Sequence, residues 1–314
     1  MKTLFLAASA LLASALCALP ARAADPDPAS CQLVRMGDAG WTDATAVTNL
    51  TANILQGMGY RTKTPMIALS VAYLSQQIKQ LDVFMSDWEP SAASVVGPYL
   101  QKGAVERLTT NLSGAHYTLA VPDYVAAAGL RDFKDIAGWA DKLHSTIYGI
   151  EPGNDGNRLL LGMVQHNDFG LGKFKVNESS EQGMLSQVSR AIAAQQPIVF
   201  LAWEPHPMNM HFHITYLTGG DKIFGASASV NTIVRNGYAQ ECPNVGRLLK
   251  QLVFTVQAEN EMMQAISENH VPAPLATKQW LKAHPEVLDK WLAGVVTTDG
   301  APALPAVRAF LGLQ

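Results

Sequence analysis

The sequence predicts an α/β fold made of two units, and three observations support that expectation. Short apolar runs typical of buried strands alternate with segments of helical spacing through most of the chain. With 314 residues, the chain is long for one hydrophobic core. The phrase Trp-Glu-Pro also occurs twice, at 88–90 and 203–205, and each copy follows an apolar run. Two tryptophans at the ends of distant strands suggest a site between the two units.

The first two thirds of the chain show the alternation most clearly. Residues 42–57 carry apolar side chains at spacings of three and four, as on one face of a helix. Residues 82–85 and 197–201 are short apolar runs, each followed by a proline. Such alternation is typical of a parallel sheet. In chain order we expect strands at 32–36, 64–68, 82–85, 117–121, 147–150 and 197–201, and helices at 42–57, 71–81, 91–101, 158–166 and 180–195.

The last third changes character. We expect a strand pair around 213–217 and 228–234, followed by helices at 244–255, 259–270 and 274–296. Because no linker separates two halves, one lobe is expected to be inserted into the other. The predicted parts are a signal peptide at 1–23, a first α/β lobe formed by 24–118 and 222–314, and an inserted α/β lobe at 119–221.

The first residues predict export. Lys2 precedes an almost wholly apolar stretch at 4–19, and Ala21-Arg22-Ala23 is typical of a signal-peptide cleavage site. No later stretch offers some 20 uninterrupted apolar residues of the kind that spans a membrane. The net charge is -3 and the basic residues form no cluster, which argues against a nucleic-acid partner.

Two cysteines, Cys31 and Cys242, remain after the predicted cleavage. An exported protein with two cysteines commonly pairs them, so we expect a disulfide between these residues. The bond would connect the start of the mature chain to its last quarter, in agreement with a discontinuous first lobe. Two separate buried thiols are the alternative.

Four aromatic residues stand where a ligand could meet them. Trp41, Trp88 and Trp203 follow predicted strands, and Tyr117 begins another. Ring faces attract a diffuse cation that has no hydrogen to donate, such as a quaternary ammonium group. A tryptophan is more often a core residue, as we expect of the other three tryptophans in this chain. From spacing alone, both interpretations of Trp41, Trp88 and Trp203 stay open.

Three motifs occur in a fixed order along the chain. They are Gly40-Trp41-Thr42-Asp43, Asp87-Trp88-Glu89-Pro90, and Trp203-Glu204-Pro205-His206-Pro207-Met208-Asn209 leading to Tyr216-Leu217. By these motifs the chain resembles the substrate-binding proteins of ABC importers for quaternary amines, over essentially the whole mature sequence. That resemblance implies the type II two-lobed periplasmic binding protein fold, with two α/β domains joined by a hinge.

The resemblance also implies a ligand site. In that family the ammonium group sits in a box of three tryptophans and one tyrosine, which corresponds here to Trp41, Trp88, Tyr117 and Trp203. An aspartate and an asparagine that hold the hydroxyl end correspond to Asp43 and Asn154. The implied setting is the periplasm, where a monomer delivers its ligand to an inner-membrane ABC permease and its ATPase.

The acids near these phrases favour choline as the ligand. Glycine betaine and carnitine carry a carboxylate that needs basic or N–H donors, whereas Asp43 accepts a hydrogen bond from an alcohol and repels a carboxylate. A binding protein for glycine betaine or carnitine is the nearer alternative, because the ring box suits any trimethylammonium group.

Other functional classes find less support. The run at 206–213 offers three histidines and two methionines, which suit copper(I), so a periplasmic copper-binding protein is the more distant alternative. The chain lacks the nucleophile elbow, the HExxH motif and the dinucleotide fingerprint. We therefore expect no enzyme activity, no cofactor and no resident metal.

Overall fold

The protein is described by a computed structural model that covers residues 25–313. The predicted signal peptide at 1–23 lies outside these residues. The strands are β1 (Leu33–Gly37), β2 (Arg61–Lys63), β3 (Val83–Glu89), β4 (Val105–Pro122), β5 (Thr146–Tyr148), β6 (Lys175–Asn177), β7 (Phe200–Glu204), β8 (Ile214–Tyr216) and β9 (Ala228–Arg235). The α-helices are α1 (Thr42–Gly57), α2 (Leu69–Gln77), α3 (Ala93–Gln101), α4 (Asp123–Ala127), α5 (Asp155–His166), α6 (Glu181–Ala193), α7 (Met208–His211), α8 (Asp221–Phe224), α9 (Tyr238–Glu241), α10 (Pro243–Gln251), α11 (Val256–Ser267), α12 (Ala273–Ala283), α13 (Val287–Trp291) and α14 (Ala303–Leu311).

Eight of the nine strands in residues 25–313 form one continuous series of hydrogen-bonded neighbours. Its order is β2-β1-β3-β9-β4-β7-β5-β6, and β8 pairs with β4 beside this series. The long strand β4 changes partner along its length, from β9 up to Ala115 to β7 from His116 onward. We call lobe 1 the part built on β1, β2, β3, β9 and the first part of β4. Lobe 2 is built on β5 to β8 and the rest of β4. The exact boundaries at 118/119 and 221/222 stay predictions.

Strand direction differs from the expected parallel sheet. The pairs β1–β2, β1–β3, β5–β6 and β5–β7 are parallel, whereas β9 and β4 run antiparallel to every strand they pair with. The expected pairing of 213–217 with 228–234 is also wrong. Strand β8 lies beside β4 in lobe 2, and β9 lies between β3 and β4 in lobe 1. Both errors arise because β4 and β9 connect the lobes, which local alternation of strands and helices does not reveal.

Two further segments differ from the prediction. Residues 64–68 form only an isolated bridge between Met66 and Asp38, and the strand of this region is β2. The expected helix at 274–296 is divided into α12 and α13, because Pro285 cannot continue the hydrogen-bond ladder of α12. Within residues 25–313 no helix has both the length and the apolar character needed to cross a membrane.

Helix α1 carries one wall of the cleft between the lobes. It begins and ends where its apolar spacing predicts, and it packs against α11, α12 and α14 of lobe 1. Trp41 is its N-cap residue in extended conformation, so its ring lies just outside the helix, and Asp43 belongs to the first turn. The buried body of α1 thus holds both residues at the edge of the cleft.

The predicted disulfide is present. Cys31 and Cys242 are bonded, and both lie in lobe 1, beside β1 and at the end of α9. Their separation of 211 residues makes the constraint on the unfolded chain large. On the chain-entropy model such a loop contributes about 4–5 kcal/mol to the free energy of unfolding.

Candidate functional site

A small cavity lies between the two lobes, and all six predicted site residues line it. Lobe 1 contributes two tryptophans and an aspartate, and Tyr117 lies on β4 just after the strand changes partner from β9 to β7. The other lining side chains come from lobe 2. The cavity volume is about 20 Å³. Its walls are formed by Trp41, Asp43, Trp88, Tyr117, Ile150, Asn154, Asp155 and Trp203.

The rings meet edge to face or at an angle around this space. The ring centroids of Trp88 and Tyr117 are 5.8 Å apart, and those of Tyr117 and Trp203 are 6.1 Å apart in a T-shaped arrangement. The register of β4 and β7 places Tyr117 directly opposite Trp203. All four rings are buried, with Trp41 on the far side at the start of α1. Rings arranged in this way offer faces and edges on several sides of one small space.

Two indole N–H groups are already bound to carboxylates. Trp88 donates from Nε1 to Asp43 Oδ2 at 3.0 Å, and Trp41 donates from Nε1 to Glu151 Oε1 at 2.6 Å. The first bond stays within lobe 1, whereas the second crosses from lobe 1 to lobe 2. With these donors occupied, the property that the two indoles can still offer a cation is the ring π-system.

Asp43 is a deeply buried carboxylate in the wall of the cavity. Burial, and after it the negative charge of Glu181, raise the pKa of Asp43 to about 7, and the hydrogen bond from Trp88 opposes the rise. Trp88 donates to Oδ2, and the N–H groups of Asp43 and Ala44 also bond to this carboxylate. A carboxylate has several acceptor positions and can therefore still accept a hydrogen bond from a ligand.

The orientation of Asn154 is determined by its neighbours. As the N-cap of α5, its Oδ1 accepts from the Asn157 N–H at 3.2 Å, and it also accepts from the Tyr117 hydroxyl at 3.1 Å. Its Nδ2 donates to Asp155 Oδ1 at 3.0 Å, and the Asn154 side chain also hydrogen-bonds Glu151, which opposes the rise that burial causes in the pKa of that carboxyl. Gly156 follows in the helix, and a side chain there would overlap the Tyr117 hydroxyl.

Asp155 is a cavity residue that the sequence prediction omitted. It follows Asn154 in the first turn of α5, and its Oδ2 accepts a hydrogen bond from the Ser91 hydroxyl of lobe 1. Burial raises the pKa of Asp155 to about 6, and the hydrogen bond from Ser91 opposes that rise. Its position next to the predicted Asn154 was the available signal.

Glu181 makes a second contact between the lobes that the sequence did not suggest. Its carboxylate accepts from the Thr42 N–H at 3.0 Å, from the Thr42 hydroxyl, and from His206 Nε2 at 3.2 Å. His206 Nδ1 accepts from the Met208 N–H at 2.9 Å, so Nε2 carries the ring proton. Burial opposes ionisation, but the hydrogen bonds from His206 and Thr42 hold the pKa of Glu181 below its usual value.

The first histidine of the His/Met run at 206–213 is bound within the protein. In His206 both ring nitrogens have partners. Across residues 25–313, no three side chains of histidine, cysteine, aspartate or glutamate come together in a way that could hold a metal ion. The copper alternative depends on methionine as well, so it stays a prediction.

Comparison with known proteins identifies the family. Residues 32–283 match the family described as the substrate-binding domain of ABC-type glycine betaine transport systems. The chain belongs to this family. The prediction of a two-lobed periplasmic substrate-binding fold is thereby confirmed, and so is the resemblance to binding proteins of quaternary-amine importers.

Members of this family and its solved structures resemble the chain closely. An ABC-transporter choline-binding protein in complex with choline is 49% identical with a TM-score of 0.90, covering 91% of this chain and 100% of that one. The structure of an ABC-transporter choline-binding protein in an unliganded semi-closed conformation is also 49% identical, with a TM-score of 0.83 over 90% of this chain and 100% of that one. The glycine betaine/carnitine transport binding protein GbuC of Listeria monocytogenes is 26% identical over 51% of this chain and 53% of that protein.

At equal identity, the described conformation is closer to the choline complex than to the unliganded semi-closed form. The contacts of Trp41 with Glu151 and of Thr42 with Glu181 agree with this, because each requires the lobes to be near one another. The geometry of the cavity is therefore that of a closed cleft.

Proposed function

We propose that the protein captures choline in the periplasm and delivers it to an ABC importer. The observation that carries this proposal is the closed cavity whose walls are four aromatic rings and carboxylates, with no lysine or arginine among the lining residues. The 49% identical structure titled as a choline complex supports the same choice.

The free energy that four cation–ring contacts can supply is comparable to the binding free energy of a micromolar ligand. Each contact between a cation and a ring contributes about 0.5–2 kcal/mol, and more when water is excluded. Four rings then supply roughly 2–8 kcal/mol, and a micromolar Kd corresponds to about -8 kcal/mol. Trp41, Trp88, Tyr117 and Trp203 together are therefore a sufficient box, whereas one tryptophan alone is not.

The hydroxyl end of choline has two partners of the required kind. In our proposal the hydroxyl donates to the Asp43 carboxylate and accepts from Asn154 Nδ2. The carboxylate of glycine betaine or carnitine would instead face Asp43 and Asp155, which are negative or must bind a proton first. The alternative of a betaine- or carnitine-binding protein is supported by the family description and by the Listeria relative.

Capture follows from closure of the two lobes. We propose that 24–118 with 222–314 move against 119–221, and that the monomeric protein is exported by the signal peptide at 1–23. Trp41, Asp43 and Trp88 lie in the first part, and Asn154 and Trp203 in the second. A ligand that touches both parts only in the closed form shifts the population toward that form, which we propose is the form that the inner-membrane permease and its ATPase accept.

Calorimetric titration of the ligand-stripped mature protein with choline and, separately, with glycine betaine tests the proposal. We expect micromolar binding of choline and much weaker binding of betaine. Comparable or tighter binding of betaine would agree with the proposed binding cleft but would make betaine the substrate. Binding of neither ligand would overturn the proposal.

The variant Asp43→Asn tests the role of the carboxylate. We expect choline affinity to fall about tenfold, because a charge-assisted hydrogen bond is lost, while the preference for choline over betaine narrows. Titration with both ligands measures the two effects, and thermal unfolding checks that the fold is intact. An equal loss for both ligands would contradict the charge argument.

A further inference from the structure

Two carboxylates, one from each lobe, line the same closed cavity. Asp43 stands at the start of α1 in lobe 1, and Asp155 stands at the start of α5 in lobe 2. Both side chains are almost fully buried, at 3% and 1% relative exposure. Closing the cleft therefore brings like charges to one poorly solvated space.

The chain itself supplies no basic side chain to balance them. In the part of the protein that the structure describes, no arginine or lysine forms an ion pair with either carboxylate. Their partners are the neutral donors Trp88, Ser91 and Asn154.

Further acids surround this pair and increase the negative potential. Glu181 raises the pKa of Asp43 through its charge, after burial itself, and Glu151 raises that of Asp155. Glu259 is also buried, and burial, followed by the charge of Asp43, raises its pKa well above the usual value. Like charges repel strongly where water is excluded, so the empty closed cleft is electrostatically unfavourable.

We propose that the positive charge of the ligand, and not its filling of the ring box, is what permits the lobes to close, and that Asp155 is the lobe 2 residue through which this charge is sensed. This inference rests on the proposed function, since it requires a cationic ligand in the box. A cation between Asp43 and Asp155 removes their repulsion and attracts both lobes at once. A neutral molecule of the same shape fills the box but leaves the repulsion in place.

Asp155→Asn is an unusually clean test of this role. In the native protein the Ser91 hydroxyl lies within hydrogen-bond distance of both the Trp88 carbonyl, at 2.9 Å, and Asp155. In the variant, the new amide can donate to Ser91 Oγ while the hydroxyl donates to the Trp88 carbonyl, and its oxygen still accepts from Asn154. The hydrogen bonds are preserved and one negative charge is lost. Asp141→Asn, which removes an exposed acid of lobe 2, is the matched control.

Small-angle X-ray scattering at a pH above the pKa values of about 7 and about 6 of Asp43 and Asp155 reports closure through the radius of gyration. The ligands are choline and 3,3-dimethyl-1-butanol, in which carbon replaces the charged nitrogen. We expect choline to lower the radius of gyration, and the neutral alcohol to leave it at the ligand-free value. We expect ligand-free Asp155→Asn to be more compact than the ligand-free native protein, and Asp141→Asn to match the native protein.

Calorimetry with the same two ligands separates the outcomes. We expect Asp155→Asn to lower the affinity ratio of choline over the alcohol by at least about threefold. Closure by the alcohol, or an Asp155→Asn protein as open as the native one, would overturn this inference even though choline binds. Absence of choline binding would instead overturn the proposed function, and this inference with it.

Discussion

The two copies of Trp-Glu-Pro occupy corresponding places in the two lobes but are held in different ways. In each copy the tryptophan and glutamate end a buried strand, β3 in lobe 1 and β7 in lobe 2, and both Glu-Pro peptide bonds are cis. The first copy sits in a polar network. Asp87 accepts from the Tyr73 hydroxyl at 2.7 Å, the Trp88 indole donates to Asp43, and Glu89 pairs with Arg107 at 2.7 Å.

The second copy depends on ring packing. Ala202 stands where the first copy has Asp87, and Trp203 meets the edges of Tyr117 and His206, with the His206 centroid at 4.9 Å. Among residues 25–313 the indole N–H of Trp203 has no hydrogen-bond partner. The residue after its proline, His206, binds Glu181, and Glu181 binds lobe 1.

The comparison shows that the same Trp-Glu-Pro motif has a different structural role in each lobe. In lobe 1 the phrase orients the polar group that we propose recognises the ligand hydroxyl, because Trp88 holds Asp43. In lobe 2 it contributes a ring wall and leads directly into a contact that joins the lobes. Trp88 should therefore matter through its ring and its N–H, whereas Trp203 should matter through its ring alone.

Alanine substitutions should show the largest contrast. We expect Trp88→Ala to weaken choline binding about a hundredfold, because a ring and the hydrogen bond that orients Asp43 are both lost. We expect Trp203→Ala to weaken it about tenfold, as the loss of one ring requires. Calorimetric titration measures both values.

Trp139→Ala is the control for this pair, since that ring lies outside the cavity lining. It should bind choline like the native protein. An unchanged affinity in Trp203→Ala would remove that residue from the box, and equal losses at the two positions would remove the proposed distinction between them.

Phenylalanine substitutions isolate the N–H groups. Trp88→Phe keeps an aromatic face but cannot donate to Asp43, so we expect affinity to fall about fivefold. Trp203→Phe loses no hydrogen bond and should cost less than about twofold. The same titration distinguishes the pair, and a larger loss at residue 203 than at residue 88 would reverse the assignment of the two roles.

The sequence was most informative where a residue type is unusual at its place. The six predicted cavity residues come from phrases that combine tryptophan, proline, glycine and aspartate at strand ends, and the structure brings all six to one cavity. The bounds of helix α1 could be predicted to the residue, because its apolar spacing is regular and 12 of its 16 residues are buried. The local sequence pattern was therefore sufficient to predict both the cavity residues and the bounds of α1.

The contacts between the lobes could not be read in the same way. Thr42 and Glu181 are 139 positions apart, and Glu181 begins an amphipathic helix like many others. The first part of β4 alternates polar and apolar residues weakly, and its partner β9 lies more than a hundred residues later in the chain. Such pairings are fixed by the tertiary packing of distant segments, and neither partner carries a local signal of it.

The last contrast between the two copies is in the pH dependence of stability, and it concerns the residue before each tryptophan. Asp87 is buried in lobe 1, and burial raises its pKa to about 7, while hydrogen bonds from Tyr73 and Asn231 oppose the rise. A carboxyl whose pKa is raised on folding binds its proton more tightly in the native state. Its stabilising contribution is complete below the unfolded pKa of about 4 and is lost as the pH rises toward about 7.

We therefore expect the free energy of unfolding of the native protein to fall across that window by roughly 3–4 kcal/mol more than that of Asp87→Asn. Denaturant unfolding at several pH values measures the difference, with Asp221→Asn, which removes an exposed acid, as the control that keeps the native slope. The residue at the matching place in lobe 2 is Ala202, so this pH dependence belongs to the first copy. An identical slope in Asp87→Asn would show that its carboxyl binds no extra proton in the folded state and that the polar network of lobe 1 holds it ionised.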